Sequence, residues 1–150
     1  MTDARFLFRL RNDPAVQANS FRSGVIAFAD HRAWLDARLG DPAHRVRLFV
    51  VTVLRGEREV RIGQVRFDCE RHSSKAEISI SLAPSFRGRG FATPVLERAL
   101  GRARPFARRV LARIKVDNEA SVRSFLRANF RRHGGVRRRP AAHVVLVWRG

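Results

Sequence analysis

The chain has 150 residues, 45% of them hydrophobic, which is enough to bury the core of one domain and too apolar for a disordered chain. Its formal net charge is +18, and all but two of its 31 basic residues are arginines, the exceptions being Lys75 and Lys115. The lone Cys69 excludes an intrachain disulfide, no Cys/His spacing suits a metal, and no apolar run approaches the ~20 residues of a membrane span.

The opening "MTDARFLFRL" carries charges and lacks the apolar centre of a signal peptide, so the sequence reads as a soluble, cytoplasmic protein of one domain, residues 1–150. Its arginines are spread along the chain, apart from Arg137-Arg138-Arg139 in an expected loop. They suit phosphate-bearing partners, or they coat solvated faces.

Thr2 or Asp3 can cap a first helix that runs to about Asn12, where "NDP" is expected to stop it. A second helix is expected over 30–39 with Asp30 as its cap, and His31, Trp34, Leu35 and Arg38 share one face. The β-branched stretches 45–54 and 60–70 flank Gly56 as a hairpin. In 75–82, Ile78, Ile80 and Leu82 alternate with Glu77, Ser79 and Ser81. After a glycine-containing turn, Phe91, Val95, Leu96, Ala99 and Leu100 form a helical stripe in which Pro94 is tolerable only within the first turn. A strand over 108–116, a helix over 117–129 capped by Asp117 or Asn118, and strands over 130–136 and 142–149 complete the order α-α-β-β-β-α-β-α-β-β. This is an α/β domain around a central mixed sheet.

The turn "APSFRGRGFATP" joins a strand to a helix N-terminus. Such a junction offers unpaired amides, a positive dipole end and glycines that let a ligand approach, which is the chemistry of a phosphate site. A nucleotide P-loop is excluded because its Lys and Ser/Thr are missing. A dinucleotide fingerprint is disfavoured because Thr93 stands where the third glycine belongs. Arg-x-x-Gly-x-Ala remains, carried by Arg87, Gly90 and Ala92.

That motif after a strand ending in "SLAP" resembles the acetyl-CoA loop of the GCN5-related N-acetyltransferases, the GNAT superfamily. The element order and "VDNEASVRSFLRANF" (116–130) extend the resemblance over nearly the whole chain, with Asn118 and Phe130 in place and Asn129 at a usual glycine. It implies a mostly antiparallel, twisted sheet flanked by four helices. The family's usual first strand is missing, and a start codon assigned too late is the favoured explanation.

The resemblance further implies acetyl transfer from acetyl-CoA to a small-molecule primary amine by direct attack in a ternary complex. Amides of Arg87, Gly88, Arg89, Gly90, Phe91 and Ala92 would grip the coenzyme's pyrophosphate. The strand end Ile80, Ser81, Leu82 would pair with the pantetheine, and Asn118 would meet the pantetheine or the departing sulfur. Glu77 is the candidate base, on an otherwise serine-lined strand face. Relatives often place a tyrosine acid where Phe125 stands, and the chain contains no tyrosine.

Residues 9–39 resemble, within that family, acetyltransferases of nucleotide-linked amino sugars of the pseudaminic acid pathway type. Arg11, Asn12, Ser20, Phe21, Arg22, His31 and Trp34 are the candidate acceptor contacts, as arginines for phosphate, aromatics for a ring face and polar partners for hydroxyls. Acetylation of a protein N-terminus or a ribosomal protein is the alternative acceptor class, and a homodimer completing the site stays open. The alternative from another class is a basic RNA-binding domain. Aromatic and basic residues do not interleave on one strand pair as an RNA platform needs, which weighs against nucleic acid.

Overall fold

Capping chemistry sets the first helices of the computed structural model, which describes residues 2–150. Helix α1 (Asp3–Arg11) starts at Thr2, whose hydroxyl accepts from the Arg5 amide, and buries Phe6, Leu7 and Leu10. Asn-Asp-Pro ends α1 but also begins a helix that sequence reasoning does not find, α2 (Pro14–Asn19). Asp13 is its N-cap, accepting from the Ala15 and Val16 amides at 3.1 Å each, with Pro14 pre-set at the first position. Helix α3 (Phe28–Leu39) starts ahead of Asp30, at Ala27, and buries His31 and Leu35.

The remaining elements are β1 (Val46–Arg55), β2 (Arg58–Cys69), β3 (Lys75–Leu82), α4 (Ala92–Ala103), β4 (Arg109–Lys115), α5 (Glu119–Arg127), β5 (Arg131–Arg132) and β6 (His143–Arg149). The described residues thus hold five α-helices, α2 being the addition to the four expected. Strand β5 is much shorter than the expected 130–136, because Gly134 turns at φ +76 directly after His133. At the end of α5, Asn129 takes φ +65, the left-handed conformation that asparagine tolerates in place of glycine.

The sheet order is β1-β2-β3-β4-β6-β5, antiparallel throughout except for the central pair β3–β4. Helices α4 and α5 pack on one face over Phe67, Val110 and Leu146, while α1 and α3 pack on the other over Leu48 and Val50. No helix among the described residues is long and apolar enough to cross a membrane.

The parallel pair positions the site. Strands β3 and β4 are in register only from Lys75↔Arg109 to Glu77↔Leu111. Beyond that, β4 stays with β6 as far as Lys115↔His143, and β3 stays with β2 as far as Leu82↔Gly63. The two strands therefore splay after Glu77. A bulge assists the departure of β3: the register moves from Val51↔Gly63 to Thr52↔Arg61, and the extra Ile62 carbonyl accepts from the Ala83 amide at 2.8 Å. Gly63 is required there, since a Cβ would collide with the Ser81 carbonyl.

Candidate active site

The gap between the splayed strands has a defined polarity. Amides alternate sides along a strand, and the Ala83 amide points towards β2. The amides of Ile80 and Leu82 therefore face the gap, unpaired by β4, while the Ser81 amide faces β2. A flexible chain entering the gap meets donors and acceptors in strand spacing.

The glycine loop lies at the open end of this gap. A 3-10 turn (Pro84–Phe86) buries Phe86, and the Arg87 amide donates to the Pro84 carbonyl at 3.3 Å, so it is partly used within the loop. Gly88 and Gly90 adopt φ +67 and +79, where a side chain would strain the backbone, and no protein atom lies within 4 Å of where either Cβ would be. The amides of Gly88, Arg89, Gly90 and Phe91 have no backbone acceptor among the described residues. Phe91 is the N-cap of α4 and makes no side-chain cap, so the bare amides up to Ala92 face outward at the positive end of the helix. A diphosphate fits these donors without displacing any protein group.

The Arg87 side chain does other work. Its Nε donates to the Leu82 carbonyl at 2.9 Å and its Nη2 to Asp13 Oδ1 at 2.7 Å. The same carboxylate oxygen caps α2, so one atom ties the glycine loop to the helices on the other side of the gap. Burial pushes the Asp13 pKa up, but the Arg87 hydrogen bond, the Val16 and Ala15 amides and the guanidinium charge outweigh it, and the net shift is downward. Asp13 escapes sequence reasoning because Asn-Asp-Pro reads fully as a turn; its partner lies 74 residues away.

Glu77 stands at the apex of the splay and is paired with Arg113, Nε to Oε1 at 2.8 Å, both side chains more than a third exposed. Asn118 caps α5, its Oδ1 accepting from the Ser121 amide at 3.3 Å, which leaves its side-chain NH2 uncommitted among the described residues. Phe125 is buried to 2% exposure and packs edge-on against Phe130, a core position.

The acceptor candidates separate into two groups. Asn12 is a clamp: its NH2 donates to the Ile26 carbonyl at 2.9 Å and its carbonyl accepts from the Ile26 amide at 3.1 Å. Arg11 donates to the Arg22 carbonyl at 3.1 Å, and the Ser20 hydroxyl to the Val16 carbonyl at 2.7 Å. Arg11 and Asn12 hold the segment between α2 and α3, Ser20 closes the end of α2, and the Arg22 side chain is exposed. His31 is buried between Phe8 and Trp34, with Nδ1 unpartnered beside a likewise buried, unpartnered Arg11 Nη1. Burial and then the Arg11 charge lower the His31 pKa, so the ring is neutral at pH 7. Trp34 packs with the α1–α3 core under the Arg66 guanidinium. Phe21 is the residue that crosses to the splay: its ring lies 5.2 Å from His143 and 5.5 Å from the Arg113 guanidinium carbon. Arg113 thus bridges Phe21 and Glu77, a link that sequence reasoning lacks, although the alternation Arg109, Leu111, Arg113, Lys115 in β4 is visible there.

Comparison with known proteins agrees with the fold. Residues 1–131 match the family model of the acetyltransferase (GNAT) domain. Among solved structures, the chain is similar to the spermidine N-acetyltransferase from Vibrio cholerae in complex with CoA and spermine, with a TM-score of 0.85 and 22% identity over 98% of this chain and 89% of that one. A single-residue mutant of the Vibrio enzyme gives a TM-score of 0.80 at 21% identity over 98% and 89%. A domain from Methanocaldococcus jannaschii gives 0.81 at 15% identity, covering 99% of this chain and 94% of that domain. No curated protein matches the chain.

Proposed function

The chain belongs to the GNAT acetyltransferase family, and from that premise we propose that it acetylates the primary amine of an anionic acceptor, a nucleotide-linked amino sugar above all. As a family member it is an acyl-CoA-dependent N-acyltransferase, with acetyl-CoA as its cofactor. The observation that carries the site assignment is the splay of β3 from β4 after Glu77, opening onto bare amides at the start of α4.

In this reading the coenzyme's diphosphate lies on the amides from Gly88 to Ala92, and its pantetheine runs along Ile80 and Leu82. An amide facing the gap polarises the thioester carbonyl, a contact of about 3 kcal/mol in comparable oxyanion sites. The amine enters beside Phe21 and loses its proton to Glu77, directly or through a water. The C–N bond forms as the C–S bond breaks. An ordinary thiol ionises near pH ~8.5, so the coenzyme sulfur departs as thiolate, assisted by the Asn118 NH2, and takes its proton from solvent. No tyrosine acid is needed for that departure.

The acceptor class rests on charge. The Vibrio enzyme is named for spermidine, a polycation. In the present chain Asp13 is committed to Arg87 and Glu77 to Arg113, Lys115 at the end of β4 enters no ion pair among the described residues, and the whole chain carries a net charge of +18. A polyamine would meet uncompensated like charge; an anionic acceptor would be drawn in. The test is acetyl-CoA turnover over UDP-linked amino sugars, spermidine and ribosomal-protein N-terminal peptides. Greatest kcat/KM on the UDP-linked sugars is expected, and spermidine as the best acceptor would reverse the assignment.

A further inference from the structure

The sheet register sets the two ends of α2 against opposite walls of the splay. From the last β3–β4 pair, Glu77↔Leu111, Leu82 lies five residues on along β3 and Lys115 four residues on along β4. The two strands run parallel, so these residues stand at the same open end. Asp13, the N-cap of α2, is bonded to the Arg87 guanidinium, which also holds the Leu82 carbonyl. Near the other end of the helix, Lys115 Nζ donates to the Ala18 carbonyl at 2.6 Å. The helix therefore bridges the mouth of the gap, one end tied to β3 and the other to β4.

Polar ties, more than packing, fix the end of α2. The helix buries no residue, and of its side chains Val16 packs against the α1–α3 core. At its end the Asn19 side chain donates to the Ala15 carbonyl at 2.9 Å, the Ser20 hydroxyl to the Val16 carbonyl at 2.7 Å and the Ser20 amide to the Gln17 carbonyl at 3.2 Å. Gln17 ties the helix to the Arg11 carbonyl and to Gly24. All of these bonds stay within α1, α2 and the segment after it. The bond from Lys115 joins this end of the helix to the sheet, across 97 positions of sequence. A cation there also meets the negative end of the helix and satisfies a carbonyl of its last turn.

Phe21 follows two residues after the helix, its ring 5.5 Å from the Arg113 guanidinium carbon and 5.2 Å from His143. Arg113 and Lys115 share a face of β4, and His143 is paired with Lys115 across β6. The lysine that holds Ala18 and the two side chains that meet Phe21 are thus neighbours on one patch of the sheet. We infer that Lys115 is a positioning residue for the acceptor: by fastening the end of α2 to β4 it seats Phe21 beside Arg113, the partner of Glu77. That role rests on the proposed entry of the amine beside Phe21, and it holds for an acceptor of either charge. The two ends of α2 then divide the work, Asp13 joining it to the coenzyme loop and Lys115 to the acceptor side.

The test separates KM from kcat in Lys115→Met, on whichever of a UDP-linked amino sugar, spermidine and a ribosomal-protein N-terminal peptide is turned over best. KM for that acceptor is expected to rise about fivefold, with kcat and the coenzyme A Kd each changed less than about twofold. Lys115→Arg keeps a charged donor and is expected to recover most of the loss. In a Phe21→Ala chain, Lys115→Met is expected to raise KM less than about twofold further, because its effect runs through that ring. Lys75→Met removes the same charge at the paired end of β3 and is expected to leave KM within about twofold. The Ser20 amide, bonded at the end of α2, is expected to exchange its hydrogen about fivefold faster in Lys115→Met. Faster exchange with unchanged KM, full additivity with Phe21→Ala, or an equal rise in Lys75→Met overturns the role. The KM shift seen on spermidine or the peptide as best acceptor removes the proposed acceptor class and keeps the positioning role; the UDP-linked sugar as best acceptor with KM unmoved does the reverse.

Discussion

Asp13→Asn is the substitution that most directly probes how the cofactor loop and the acceptor helices are joined. Asparagine keeps an oxygen to cap α2, so the change isolates the charged bond to Arg87. A charge-assisted hydrogen bond is worth about 1.5–3 kcal/mol, and Arg87 is 32% exposed, so the lower end applies because water partly replaces the carboxylate. A loss of about 1.5 kcal/mol lowers Tm by about 3–6 °C in a chain of this size. Arg87 also holds the Leu82 carbonyl at the mouth of the gap, so its loosening reaches the coenzyme. If about 1 kcal/mol of that order is felt by the ligand, the Kd for coenzyme A rises about fivefold.

The assay is a double-mutant cycle with Arg87→Gln, read by melting and by coenzyme A calorimetry. Coupling of about 1 kcal/mol or more is expected in both. The bond also has a pH signature. The folded Asp13 pKa lies below the ordinary 3.8, so its stabilisation is complete above 3.8 and is lost as pH falls through the lower folded value. The Asp13→Asn chain should lack that portion of the acid slope. Additive effects in the cycle, or a lower Tm with unchanged coenzyme affinity, would refute the link between loop and helices.

Glu77→Gln should lower kcat by about 10²–10⁴ if Glu77 takes the amine proton, with Tm changed little because its pair with Arg113 is solvent-exposed; undiminished kcat across pH 6–9 rejects it as the base. Gly90→Ala forces φ +79 on a residue with a Cβ and costs about 1–2 kcal/mol, while the methyl group shields the bare amides, so coenzyme A affinity should fall at least tenfold by calorimetry. Phe125→Tyr inserts a hydroxyl beside Phe130 and should destabilise by about 1–3 kcal/mol while leaving turnover per folded molecule; a folded but dead variant shows that this ring does more than pack. The folded pKa of His31 lies below 6.5, so the neutral ring's contribution is complete above 6.5 and is lost as pH falls through the folded value. His31→Phe should flatten the melting profile in that window, and an unchanged profile in that variant assigns the slope elsewhere.

Much of the fold is legible in the sequence because its signals are local. Alternation marks β3 and β4, and the apolar stripe marks α4. The left-handed Asn129 follows from side-chain chemistry at a helix end. The helix α2 is hidden because one tripeptide carries two messages: Asp-Pro forbids continuation of α1, yet the same aspartate and proline are a strong N-cap and first position for a new helix. The expected strand over 130–136 is present but cut short, since apolar and basic residues promise a strand that Gly134 and Gly135 interrupt.

The site is less legible, because its decisive features are pairings between distant segments. The glycine loop can be read from spacing, but not that Arg87 turns its side chain away from the loop to Asp13. The acceptor side is expected in residues 9–39, where Arg11 and Asn12 bond the backbone of the segment before α3 and Ser20 closes α2. Further cationic side chains, Arg109, Arg113 and Arg137, stand on β4 and beside β6, gathered by a sheet order in which β6 inserts between β4 and β5. Composition alone leaves an arginine-rich chain ambiguous between coated surface and anion site. At one place, four basic side chains of β3, β4 and the segment after β5 line an open concavity with two acids, each of which pairs with one of them. On the proposed acceptor class, an acceptor that brings its own negative charge offsets that excess, and a polyamine adds to it.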